Sequence, residues 1–202
     1  MEFDLSKSQA GLLVLDLQEL FCSAKGPFEN KNADDLIDNV NTFAQNCDEL
    51  GLPLIYSRYL FKDDLSDAGL LKDNSIVRDG HFCESSTWMK LDQRLEPPHS
   101  AIQLKRNRPG AFWNNNLESI LKENSIDMLL LCGLSVNNAI STTAREAFAR
   151  DIPTLVIKEC TGAAPWETEI ESYFETLHSW TAEVASMENI KNRLQKSISK
   201  KS

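Results

Sequence analysis

Leu129-Leu130-Leu131-Cys132-Gly133-Leu134-Ser135-Val136-Asn137-Asn138-Ala139-Ile140-Ser141-Thr142-Thr143-Ala144 reads as a buried strand, a glycine turn, a short polar loop and the first turn of a helix. A strand that hands over to a helix in this way sets the helix-start amides beside a pocket. There they stabilise a thiolate or an oxyanion. Ala139, at the start of that helix, carries only a methyl group, which attacks nothing. The apolar run is broken by Gly133 and falls far short of the roughly 20 residues that span a bilayer.

Outward from this junction, strands and helices alternate. Residues 11–16 form a short apolar strand ending in Asp16. Asn32 or Asp34 caps a helix whose apolar residues recur at helical spacing from Leu36 to Leu50, and Gly51 stops it. Residues 53–57 and 101–104 read as further strands, and 128–132 and 153–157 as two more. Helices are expected over 116–123, 138–150 and 165–180, and a terminal one from Met187. A sixth strand is placed at 182–185. Residues 59–100 are irregular, with short helical pieces. A connection that long is usually functional, here a lid over a site. Strands separated by helices of this length indicate βαβ units and a parallel sheet, an α/β fold. Sites in such sheets lie at the C-terminal ends of strands. That selects Asp16, Arg58, Arg106 and the loop from Gly133 to Ala139.

Composition narrows the function. The 202-residue chain carries a net charge of −9, which argues against nucleic-acid binding. Lys105 to Arg108 is the basic cluster within a folded stretch. No signal peptide is read at the acidic start and no membrane span anywhere, so the expected location is cytoplasmic. Cys22, Cys47, Cys83, Cys132 and Cys160 lack CxxC spacing and read as reduced, packed thiols. The three histidines lack metal-ligand spacing, so neither a metal nor another cofactor is expected. No G-x-G-x-x-G follows the first strand, which excludes a dinucleotide domain of the usual kind.

Four strand ends resemble the motifs of the isochorismatase-like, or cysteine hydrolase, superfamily. Leu13 to Phe21 is similar to an apolar strand followed by D-x-Q-x-x-F. Lys105 to Phe112 resembles a basic residue followed by x-R-x-S-A-F. Gly133 to Ala144 resembles G-x-x-T-x-x-C-V-x-x-T-A, and Arg150 to Ala163 continues in register. The resemblance implies a single domain over 1–202, its core about 10–190. It also implies a three-layer αβα architecture with Rossmann-like topology around a central six-stranded, mostly parallel sheet. It implies an Asp-Lys-Cys triad, an oxyanion hole of backbone amides, and a cis peptide, here Ser135–Val136. Assembly as a homodimer or tetramer is a further implication.

Matched residue by residue, Asp16 keeps the triad's acid. Six positions before Phe112 lies Arg106, where the family has Lys. Lys105 is one residue further back and points to the other face of the strand. Ala139 stands at the nucleophile's position, Val136 replaces Thr, and Gly110 replaces Ser. Phe21, Phe112, Ser135, Val136 and Ile140 are the expected substrate-contacting residues.

Alternatives stay open at each position. Asp16 is a pocket residue, a helix cap or a partner of Arg106. An ion pair with Arg106 is expected to lower its pKa and weaken it as a base. Arg106 is an anion clamp or a structural partner of Asp16. Ser135, Ser141 and Thr142 lack a histidine to activate them. Trp88, Trp113 and Trp166 line a pocket or an interface, or simply pack. Two functions follow. One is a hydrolysis that needs no thiol, such as vinyl-ether cleavage of a small carboxylate-bearing molecule. The other is a pseudoenzyme that binds a small anion or a protein partner.

Overall fold

All six residues of β1 (Ala10–Leu15) are buried, as a central parallel strand covered on both faces requires. The computed structural model describes residues 2–201 apart from 167. After β1 come α1 (Glu19–Cys22), α2 (Ala33–Glu49), β2 (Leu54–Tyr59), α3 (Ser75–Arg78) and β3 (Ile102–Arg106). Then follow α4 (Leu117–Glu123), β4 (Met128–Gly133), α5 (Ser141–Phe148), β5 (Thr154–Thr161), α6 (Ile170–Trp180), β6 (Glu183–Ala185) and α7 (Met187–Lys201). The sheet runs β3-β2-β1-β4-β5-β6 and every pairing is parallel.

Alternation along β1 sorts the layers. Leu12 and Val14 pack with Val40 and Phe43 of α2 and with Ile190 and Leu194 of α7. Leu13 and Leu15 face the other way, toward Ile120 of α4, Ala144 of α5 and Leu177 of α6. The result is helices on both faces of a six-stranded sheet. Strand order reverses between β1 and β4, so a crevice opens past their C-terminal ends. Among the described residues, no helix is long and apolar enough to cross a membrane.

Several boundaries differ from the sequence reading. β2, β3 and β5 run on beyond their apolar runs, because Tyr59 pairs with Arg106 and Gly133 with Thr161. Ladder pairing with a buried neighbour outweighs the polar side chains. Arg58, Arg106 and Cys160 therefore sit within strands rather than after them. The helix expected from 138 is a wide π turn over Val136–Ile140 followed by α5. The helix expected over 165–180 begins only at Ile170. Pro165 and Trp166 form a turn instead, and residue 167 lies outside the described residues. Gly51 stops α2 with φ at 71°, and all five cysteines are free and buried.

The stretch 59–100 is stapled to the end of β1. Gln18 is fully buried. Its Nε2 donates to the carbonyls of Tyr59 and Met89, each at 3.3 Å, and its Oε1 accepts from the Tyr59 amide at 2.8 Å. The Glu19 amide donates to the Lys90 carbonyl at 3.0 Å, and the Asp92 amide to Leu17 at 2.9 Å. The stretch forms one wall of a cavity at the crevice.

Candidate active site

Asp16 follows β1 in a left-handed conformation, with φ at 57°. Its amide donates to the Ser57 carbonyl at 3.2 Å, which ties the turn to β2. On β3, alternation points Lys105 outward to an ion pair with Glu84 and Arg106 inward to Asp16. Arg106 is therefore the residue that meets Asp16. Its Nη2 donates to Asp16 Oδ2 and its Nε to Ser57 Oγ at 2.9 Å. Its Nη1 donates to the carbonyls of Arg108 and Pro109, each at 2.6 Å. A guanidinium has five N–H groups, and four are committed inward. Arg106 is the structural partner of Asp16, with its side chain fully buried.

The other oxygen of Asp16, Oδ1, is buried and has no hydrogen-bond partner among the described residues. Asp16 borders a cavity of roughly 150 Å³ whose wall includes Ser135, Asn138 and Ala139. The rest is largely aromatic. Phe21 and Phe28 come from the segment after β1, Tyr59 and Phe82 from the stapled wall, and Trp166 from the turn before α6. Their neighbouring ring centroids lie 5.3–6.2 Å apart when Phe61 behind them is included, the spacing of mutually packed rings. Among the described lining residues there is no lysine or arginine.

Burial pushes the Asp16 carboxyl above the ordinary 3.8, against the opposing pull of Arg106. This reverses the expectation that the ion pair would dominate, because desolvation of the buried carboxyl outweighs the pull of the guanidinium. A raised folded-state pKa gives stability that is present below 3.8 and lost as pH rises through the folded value. The stability margin of the protein over Asp16→Asn should therefore narrow as pH climbs above 3.8 toward the raised folded-state value. Urea denaturation across that range checks it; a margin that widens contradicts it.

Phe21, Ser135, Asp16 and Ala139 meet at the cavity, as read from the sequence. Phe112, Val136 and Ile140 do not line it and pack in the core behind. The Phe112 amide is held at 3.0 Å by Glu146 Oε2, and the ring lies 4.7 Å from the Arg150 guanidinium. The Val136 amide is spent on the Gly162 carbonyl at 2.9 Å. With Val136 so fixed, the cis peptide falls one bond earlier than expected, at Leu134–Ser135. The amides of Asn138 and Ile140 both donate to the Ser135 carbonyl at 3.1 Å, so neither is open to an oxyanion.

Glycines account for two details. Gly133 has φ at 109°, and a β-carbon there would overlap the Leu15 carbonyl. Only this residue lets β4 hand over so close to β1. At Gly110, a β-carbon would meet the Glu146 carboxylate and disturb its bond to Phe112.

Sequence reasoning missed Phe28, Asn30, Tyr59 and Phe82; of the roles it left open for Trp166, the structure places the residue at the cavity wall. The aromatics clustered in 59–90, a segment already read as lying over a site, were the signal for Tyr59 and Phe82. Asn30 holds the opposite wall, donating to the Ala163 carbonyl at 2.9 Å and accepting from the Asn32 amide at 2.9 Å.

Comparison with known proteins gives the lineage. The isochorismatase domain family matches residues 10–189. The uncharacterized isochorismatase family protein YecD of Escherichia coli O157:H7 is 27% identical over 192 residues, covering 95% of this chain and 99% of that protein. The ureidoacrylate amidohydrolase RutB of Klebsiella pneumoniae is 26% identical over 200 residues, covering 88% and 85%. The crystal structure of a cysteine hydrolase from Pseudomonas syringae superposes with a TM-score of 0.90 at 18% identity, covering 97% of each chain. The matched span takes in every strand of the sheet and all the described residues that build the cavity, and the chain belongs to the isochorismatase family of hydrolases.

Proposed function

We propose that this hydrolase works without a thiol, Ala139 standing at the nucleophile's position and Asp16 acting as the proton-transfer group. The reading rests on one observation. Asp16 lines the cavity with one carboxyl oxygen held by Arg106 and the other buried without a partner among the described residues. A carboxyl pushed upward by burial is suited to donate a proton and take it back. Vinyl-ether cleavage fits this group. Asp16 gives its proton to the enol-ether carbon, and water adds to the resulting oxocarbenium carbon. The hemiketal then collapses to a ketone and an alcohol, and a proton returns to Asp16. The proposed substrate is a small carboxylate-bearing molecule. Its carboxylate would sit at the cavity mouth, since no described cation lines the interior.

Incubation with isochorismate should release pyruvate, and Asp16→Asn should lower the rate by about 10²–10⁴-fold, the usual contribution of a positioned acid–base group. Absence of pyruvate overturns the vinyl-ether reading. A second reading, binding without turnover, is favoured by the inward commitment of Arg106. Its fixed donors cannot follow charge to a reacting atom. Under that reading ligands raise the melting temperature and none is consumed.

A further inference from the structure

We infer that the cavity accepts a small organic cation, a methylated or alkylated ammonium group, with Asp16 as its counter-ion and the aromatic wall as its cage. The inference goes beyond the hydrolytic reading and needs only that the cavity be the ligand site.

Three observations converge. The first is the unpartnered oxygen. Asp16 lines the cavity and is buried, and its Oδ1 has no hydrogen-bond partner among the described residues, a costly state for a buried acceptor. A ligand bearing positive charge is attracted to this carboxyl at short range in a site shielded from water. The second is the wall. Phe21, Phe28, Tyr59, Phe82 and Trp166 surround one small volume, and aromatic π-systems attract cations, including quaternary ammonium groups that have no N–H to donate. The third is what the wall lacks. No lysine or arginine among the described residues lines the cavity to repel a cation or to hold an anion.

Arg106 is the one guanidinium beside Asp16, and it does not oppose the assignment. Its donors are turned inward to Asp16 Oδ2, Ser57 Oγ and the carbonyls of Arg108 and Pro109, and it is not among the residues that line the cavity. It already sits 5.4 Å from the centroid of the Tyr59 ring, so one cation is accommodated against this shell. At roughly 150 Å³ the cavity suits a head group the size of trimethylammonium rather than an extended molecule. A carboxylate on the same ligand would remain at the mouth, which is compatible with the proposed substrate class.

The test compares choline with 3,3-dimethylbutan-1-ol, its neutral carbon isostere, by isothermal titration calorimetry on the full chain. Choline should bind at least about tenfold more tightly, the gain expected of a desolvated cation–π and carboxylate contact. Trp166→Leu, at a residue 64% exposed, should weaken choline several-fold and leave the alcohol nearly unchanged. Asp16→Asn should abolish the preference for choline. Equal affinities, or no choline binding at tens of millimolar, overturn the inference. The outcome is separable from catalysis: choline binding without pyruvate release sinks only the hydrolytic reading. Pyruvate release without choline preference sinks only this one.

Discussion

Arg106→Met lowers stability by about 3–5 kcal/mol, the cost of breaking a buried ion pair by removing one partner. The loss goes beyond the pair with Asp16. Ser57 Oγ and the carbonyls of Arg108 and Pro109 also lose their donor inside the protein. Met fills much of the same volume, so the loss reports polar groups left without partners rather than a void. Urea denaturation measures it, and a loss below about 1 kcal/mol would falsify the account of Arg106 as the keystone of this wall. Asp16→Asn in the Arg106→Met background should restore part of the loss, since no uncompensated charge then remains. Arg106→Lys should fall between. One ammonium keeps the charge but cannot serve Asp16, Ser57 and two carbonyls together.

In a Cys83→Ser background, which removes the least buried of the native cysteines, Ala139→Cys should create a single fast-reacting thiol. Burial pushes the Cys47 thiol up to about 12, and Cys22, Cys132 and Cys160 are raised further. A thiol at position 139 would line the cavity, where a small reagent can meet it, whereas Cys47 is fully buried in the core. Iodoacetamide labelling followed by intact mass gives the readout. Labelling no faster than in the parent protein would mean that position 139 is closed to solvent molecules and not a ligand-facing wall. Combined with Arg106→Lys, the new thiol should bring amide hydrolysis above background. Labelling without hydrolysis would mean that Asp16 does not activate a nucleophile placed there.

The αβα layering was legible because β1 and β4 are near-continuous apolar runs and α2 carries its apolar residues at one spacing. The Asp16–Arg106 juxtaposition was legible from strand ends and from alternation, which sets Lys105 and Arg106 on opposite faces. Three things were not. Strand ends past Ser57 and Ile157 depend on pairing with a neighbour, which local apolarity does not report. The aromatic wall gathers Phe28, Tyr59, Phe82 and Trp166 from distant segments, and no short motif joins them. The direction of the Asp16 titration depends on how completely the fold excludes water, and a sequence gives charges without their depth.

The staple made by Gln18 has a consequence for how quickly a ligand comes and goes. Three hydrogen bonds weld Tyr59 and Met89 to the strand that carries Asp16, so that side of the cavity moves with the sheet or not at all. Trp166, on the opposite side, stands largely in solvent. Ligand traffic is therefore expected past the tryptophan side, with Trp166 governing residence time and the carboxyl and rings behind it governing equilibrium affinity. Substitutions at Trp166 should alter the dissociation rate more than those at Met89, which lies behind the fixed wall.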